Sequence, residues 1–274
     1  MEISAAVVKA FRDKTGLPMM ECKQALIEAK GDEKLAEEIL KKKGLTKIGK
    51  LAGRETTQGR VTCFVDATAK AGAIVKLSCE TAPVANTEDF TKLATQVARH
   101  AAVTPNPTPD SLRQVAFLDD RSRTLGDYMD EVINRIRENV KVAAVDRLTG
   151  VVGSYTHFNG QSGTLIEMSA PCPDAVMVDV CMHITAMKPP IVRREQADPE
   201  SVARERAAAA AQAAGKPPAV VEKIVEGKLG RWFSEFVLLE QPFVKEDKIS
   251  VAAFLKSAAP NLTVNRFVRL AIGE

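Results

Sequence analysis

Apolar residues at helical spacing divide the first 44 residues into three short segments. Ser4 and Asp32 each precede such an apolar face, so they are expected to cap the first and third helices. Three lysines end the third segment just before Gly44, as suits a helix C-terminus. The pattern predicts a three-helix module over residues 1–44, followed by a short helix and linker over residues 45–59.

Beyond residue 60 the apolar period changes to two, which predicts strands. Two hairpin-plus-helix units are expected: strands 61–66 and 73–79 with a helix from Thr87, and strands 151–158 and 163–169 with a helix over 174–187. The two units align with Gly72 opposite Gly163, which indicates an internal duplication.

An alanine-rich, charged stretch at residues 202–214 and an apolar stripe over 220–229 flank a Gly/Pro turn. This arrangement predicts a helical hairpin that projects as an arm, because it interrupts two sheet-forming regions. The fold class is therefore α+β. The predicted boundaries are an N-terminal domain 1–44, a linker 45–59, a first core subdomain 60–150, a second core subdomain 151–190 with 231–274, and an arm 191–230.

Composition indicates an ordinary folded protein, since 45% of the 274 residues are apolar and 27% are charged. A net charge of +3 is too small to argue for nucleic acid or an anionic membrane, so neither is expected as a partner. The chain has no run of 18 apolar residues and no secretory leader pattern. Five scattered cysteines suit a reducing compartment, which predicts a cytoplasmic location.

Candidate catalytic chemistry is sparse. None of the three histidines has a partner at metalloprotease or triad spacing, and no glycine-rich phosphate loop is present. Cys172, Cys181 and His183 could supply three metal ligands, but zinc sites normally use paired knuckles, so buried thiols are expected instead. We therefore expect no covalent chemistry, no metal and no cofactor.

Two features predict exposed contact residues. Met19 and Met20 are adjacent in a tight turn and cannot both face one small core, so at least one is expected on an adaptable partner surface. His157 lies in a hairpin beside Tyr155 and Phe158, where a surface contact and simple solvation of the turn are both open.

Several runs, in this order along the whole chain, closely resemble the translation elongation factor Ts family. They are Val8-Lys9 through Arg12, Thr15-Gly16, Met19-Met20-Glu21-Cys22-Lys23, Cys79-Glu80-Thr81, Val152-Gly153-Ser154-Tyr155 with His157, Met182-His183-Ile184, Gly215-Lys216-Pro217 and Gln241-Pro242-Phe243-Val244. Together they are far more specific than any one of them.

The resemblance implies a guanine-nucleotide exchange factor that binds elongation factor Tu, both GDP-bound and nucleotide-free, and acts by binding alone. It implies a three-helix (UBA-like) N-terminal domain, a core of two related subdomains and a coiled-coil arm, with dimerisation through the arm left open. By the same resemblance, the residues that contact elongation factor Tu are Arg12, Met19, Met20, Lys23 and His157.

One departure from the family concerns the loop that displaces Mg²⁺ from the GTPase. The family usually has Thr-Asp-Phe-Val there, whereas this chain has Thr81-Ala82-Pro83-Val84. Ala82 carries no charge and Pro83 is a smaller wedge, so weaker exchange is expected. The alternative is a protein that binds elongation factor Tu, or acts like a chaperone, without efficient exchange.

Overall fold

The computed structural model describes residues 3–274. The helices are α1 (Ala5–Thr15), α2 (Met19–Glu28), α3 (Glu33–Leu51), α4 (Ala82–Ala85), α5 (Glu88–Val103), α6 (Pro109–Gln114), α7 (Leu125–Ile136), α8 (Asp174–Met187), α9 (Pro199–Gln212), α10 (Pro218–Phe236) and α11 (Val251–Ala258). The strands are β1 (Gln58–Asp66), β2 (Ala71–Cys79), β3 (Ala116–Phe117), β4 (Asp120–Thr124), β5 (Lys141–Thr149), β6 (Val151–Thr156), β7 (Ser162–Met168), β8 (Pro242–Phe243), β9 (Glu246–Ser250) and β10 (Val264–Ala271). The mixed α+β class is confirmed.

The first three helices pack around their own apolar cluster, which includes Phe11 and Leu26. Ser4 and Asp32 cap α1 and α3 as predicted, through bonds from the backbone N–H groups three residues on. The prediction that the third helix ends before Gly44 is wrong, since α3 continues to Leu51. A Cβ at Gly44 would lie 2.8 Å from the Asn134 side chain, so this glycine marks a close approach to α7.

Two three-stranded antiparallel sheets form the centre of the molecule. The first has the order β1-β2-β5 and the second β10-β7-β6, so each predicted hairpin gains a third strand. Strand β5 was not predicted from the sequence; it pairs with β2, and Gly150 alone separates it from β6. The two sheets therefore have the same strand arrangement.

The strands alternate between two apolar layers. Val75 and Leu77 of β2 face a cluster shared with α5 and α7, whereas Ile74 lies in a cluster shared with Val152 and Leu165 of the second sheet. The outer face of the second sheet packs on α8 and α11 in the same way. The layers thus run helix, sheet, sheet, helix.

The aligned glycines lie where the two sheets approach most closely. A Cβ at Gly72 would be 2.8 Å from Cγ1 of Val152 and 3.0 Å from Cδ1 of Leu165. A Cβ at Gly163 would be 3.1 Å from Cγ1 of Val61. Each glycine leaves room for apolar side chains of the opposite sheet.

The duplication extends to a pair of buried histidines. The Leu118 N–H donates to Nε2 of His100 (2.8 Å), and the Val244 N–H donates to Nδ1 of His183 (3.1 Å). The second nitrogen of His183 donates to Oε1 of Gln241 (3.0 Å). Burial lowers the pKa of both imidazoles, so each stays neutral while it holds the short β3-β4 or β8-β9 hairpin.

Helices α9 and α10 form the predicted helical hairpin with an apolar cluster of their own. The hairpin lies between α8 and β8 in the second unit. In the first unit the six-residue α6 occupies the corresponding place, between α5 and β3. The second helix does not end at Leu229 as predicted, because Phe233 continues the buried stripe of Val225 and Leu229 at intervals of four residues. Across residues 3–274, no helix has the length and apolar character needed to cross a membrane.

Candidate partner-binding surface

The start of α2 presents two apolar side chains to solvent. Met19 is 44% exposed and Met20 is 63% exposed, while Cys22 beneath them is fully buried. Lys23 is exposed one turn further along the same helix. Pro18 is the N-cap residue of the helix, with a φ of −56°, and both methionines lie outside the buried cluster of the three helices.

The neighbouring α1 carries Arg12. Its guanidinium is exposed and its Nη1 donates to Oδ1 of Asp13 at 3.0 Å, so its only intramolecular partner in the described residues lies on its own helix. Ile27 of α2 is 50% exposed and lies two turns after Met20. Sequence reasoning missed Ile27, although its spacing of seven residues from Met20 was a usable signal.

The segment from Thr81 to Val84, here called the exchange loop after the role that the sequence resemblance leads us to expect, follows the end of β2. Residues 82–85 form a single helical turn with Pro83 in its first positions, where a missing N–H costs nothing. Thr81, Ala82 and Pro83 are exposed, and the half-buried Val84 packs against the first core. The sequence predicted a loop at this place, and the structure adds the helical turn.

The exchange loop is held at both ends by hydrogen bonds. Glu138 accepts from the N–H groups of Glu80 and Thr81, both at 3.0 Å, and from the Thr81 hydroxyl at 2.6 Å. At the other end, Nδ2 of Asn86 donates to the Ala82 carbonyl at 2.9 Å. The sequence did not point to Glu138, because this residue lies 57 residues from Thr81 and belongs to no recognisable motif.

The thiol beneath this loop is not a reactive group. Cys79 is buried, and its Sγ donates to the Thr81 carbonyl at 3.3 Å. Burial, together with the nearby Glu138 carboxylate, raises the pKa of Cys79 to about 11. The thiol therefore stays protonated at neutral pH and supports the loop as a donor.

The turn after β6 carries His157. Its Nδ1 lies 2.8 Å from the Tyr155 hydroxyl, and its ring centroid lies 4.6 Å from that of Phe158. Phe158 is 85% exposed. The turn thus exposes a phenyl ring beside an oriented imidazole, an arrangement that favours a surface contact over simple solvation.

The predicted contact residues lie in three regions. Met19, Met20 and Lys23 lie together on α2, with Arg12 on the adjacent helix, while the exchange loop and His157 follow strands of different sheets. The alternative metal ligands do not form a site: both nitrogens of His183 are engaged in hydrogen bonds and Cys181 is buried. Cys172 is half-buried, short of the burial predicted for it.

A profile of the family described as "Elongation factor TS" matches residues 80–274. The protein named Elongation factor Ts of Aquifex aeolicus (strain VF5) is 39% identical over 286 residues, covering 100% of this chain and 99% of that protein. Those of Methylococcus capsulatus and Clostridium botulinum (strain Eklund 17B) are 39% and 38% identical, covering 100% and 99% of this chain and 93% of each relative. The profile covers most of the chain and the relatives cover nearly all of it, and the chain belongs to the elongation factor Ts family.

Proposed function

We propose that this protein binds elongation factor Tu and promotes release of GDP from it during translation elongation. Membership of the elongation factor Ts family supports the proposal. The structural observation that carries it is the exchange loop, an exposed turn held rigidly at both ends. We further propose a cytoplasmic location, as the five free thiols suggest.

Exchange of this kind needs no covalent chemistry. A protein that binds the nucleotide-free GTPase more tightly than the GDP form weakens GDP binding by the same factor, because the coupling between two ligands is reciprocal. The protein therefore acts on elongation factor Tu in both states. Its functional residues are contact residues.

The proposed contacts with elongation factor Tu are Arg12, Met19, Met20, Lys23 and His157. Exposed methionines adapt to a partner surface, and the adjacent Ile27 extends the apolar stripe along α2. Lys23 and Arg12 add positive charge at the edge of this stripe, which suits carboxylates on the partner. His157, held by Tyr155, forms a second region on the other half of the molecule.

The proposed role of the exchange loop, Thr81 to Val84, is to displace the Mg²⁺ and phosphate-binding elements of the GTPase. Pro83 is exposed and rigid, so it acts as a steric wedge. Ala82 brings no carboxylate to compete at the metal site. Exchange is therefore weaker than in relatives with Asp and Phe at these positions.

The proposed roles follow the predicted domains, with the boundaries at residues 44 and 230 moved to the ends of α3 and α10. The three helices dock on the GTPase, the two related subdomains present the exchange loop and His157, and the arm of α9 and α10 projects from the second subdomain. The self-contained apolar cluster of the arm supports this division. The arm is also the proposed place of any dimer.

The test is release of fluorescent GDP from elongation factor Tu, followed by stopped flow with and without this protein. An acceleration that saturates with protein concentration is the expected result. The alternative function, binding without efficient exchange, is favoured by the uncharged Ala82 and predicts a stable complex with no acceleration. A variant without residues 1–53 is expected to lose affinity; the cut follows α3, because a cut at residue 44 would divide that helix.

A further inference from the structure

Three consecutive residues after α7, Arg137, Glu138 and Asn139, each bind a different part of the molecule. We call residues 137–139 the linking segment. Arg137 ends α7 in the left-handed region, with a φ of 66°. This change of direction turns the three side chains away from the helix axis and toward separate partners.

Glu138 binds the exchange loop. Its two oxygens accept from the N–H groups of Glu80 and Thr81 and from the Thr81 hydroxyl. Thr81 stands at the N-cap of α4, yet its hydroxyl donates to Glu138 at 2.6 Å rather than accepting from the helix. The carboxylate thus fixes the direction in which the loop leaves β2.

Arg137 binds the helix that carries the exposed methionines. Its Nη2 donates to Oε2 of Glu21 on α2 at 2.8 Å, and Lys47 of α3 reaches the same oxygen at 2.8 Å. Partial burial acts to raise the pKa of Glu21, but these two hydrogen bonds outweigh it and lower the pKa. Glu21 lies immediately after Met20, so this contact holds the exposed end of α2 against the core.

Asn139 joins the same network to the end of α3. Its Nδ2 donates to the carbonyls of Ala52 (3.3 Å) and Arg54 (2.7 Å). Its backbone N–H donates to Oε1 of Glu80 at 2.7 Å. The chain leaving the N-terminal helices and the chain entering the exchange loop are therefore bound to one short segment.

We propose that the linking segment is a positioning element that holds the exchange loop in fixed register with the docking end of α2, so that both reach the GTPase together. This rests on the proposed function, since only a loop that acts on a partner needs such register. Glu138 acts through Thr81, and Arg137 acts through Glu21.

The test compares Glu138→Ala with Glu138→Gln in the full chain. Alanine removes all three bonds, one from Glu80 and two from Thr81, whereas the amide of glutamine can accept from both N–H groups and donate to the Thr81 oxygen. Glu138→Ala should lower the maximal rate of GDP release from elongation factor Tu by about 3- to 10-fold without changing the half-saturating concentration. Glu138→Gln should restore most of the rate.

Three further variants and one control keep the test decisive. Thr81→Val, which replaces the hydroxyl by a methyl group, should slow release in the same manner, and Thr81→Ser, which keeps a hydroxyl, should recover most of the lost rate; this pair replaces the first if Glu138→Ala fails to fold. Arg137→Met should also lower the maximal rate, because it cuts the contact with α2 but leaves Glu138. Glu240→Ala, which removes a carboxylate paired with Arg194 beside the arm, is the matched control and should match wild type.

The outcomes separate this proposal from the proposed function. Wild type that fails to accelerate GDP release overturns both. Active wild type with an equally fast Glu138→Ala, or with Glu138→Gln as slow as Glu138→Ala, overturns the positioning role alone. An Arg137→Met variant as fast as wild type overturns the register between loop and helix.

Discussion

Truncation of Met20 is the most direct test of the α2 surface. Met20 is 63% exposed, so most of its side chain is available for burial by a partner. Complete burial of a methionine side chain contributes about 1.5–3 kcal/mol, and the exposed share of that is roughly 1–2 kcal/mol. Met20→Ala should therefore weaken the complex with nucleotide-free elongation factor Tu by about 5- to 30-fold.

The assay is dissociation of that complex, because changes within one interface act mostly on the off-rate. The matched control is Met187→Ala, since Met187 is 44% exposed at the end of α8, outside the proposed contacts. Both variants should melt close to the wild-type temperature, as Met20 is mostly solvated and Met187 is nearly half solvated. If Met20→Ala dissociates no faster than Met187→Ala, the α2 surface is not a docking surface and the argument from exposed methionine fails.

Four other variants test separate features. Ala82→Asp with Pro83→Phe should raise the maximal rate of GDP release by about one to two powers of ten, since contacts made only in the displaced state lower that barrier; stopped flow showing no gain would mean that displacement runs through other residues. Gly72→Ala should cost about 1–3 kcal/mol in urea unfolding through overpacking between the sheets. Gly49→Ala should instead stabilise α3 by about 0.5–1 kcal/mol, because beyond the adjoining residues and backbone of α3 no atom in the described structure lies within 4 Å of its Cβ position. Burial lowers the pKa of His183 in the folded protein, so the unfolded chain takes up the proton first as the pH falls. The contribution of neutral His183 to the free energy of unfolding is therefore complete above the ordinary pKa of 6.5 and is lost as the pH falls below it. The thermal midpoint should therefore fall less between pH 7.5 and 5.5 in His183→Asn than in wild type, and equal falls would contradict this assignment.

Local signals in the sequence predicted most of the elements. The caps at Ser4 and Asp32 and both hairpins depend on neighbouring residues, and these predictions are confirmed. Gly44 was misinterpreted because a glycine that ends a helix and a glycine that admits a neighbouring helix look alike in one sequence. Strand β5 was missed because its burial alternates only weakly.

The same difference between local and long-range signals applies to the candidate site. Exposure of at least one of Met19 and Met20 followed from their adjacency in a turn, which is a local property; the structure exposes both. The three bonds that Glu138 accepts from Glu80 and Thr81 depend on how α7 ends against β2, a long-range contact for which a single sequence carries no signal. The contacts with elongation factor Tu themselves stay predictions.

The matching positions of α6 and the arm have a consequence for engineering. Both occupy the connection between the long helix of a unit and its short hairpin, and one is six residues long whereas the other contains two helices of 14 and 19 residues. This connection can therefore change greatly in length without shifting the strand pairing on either side. Gly215, at the turn between α9 and α10, has a φ of 86° and open space around it in the described structure, so a fluorescent domain could be grafted there as a reporter of complex formation.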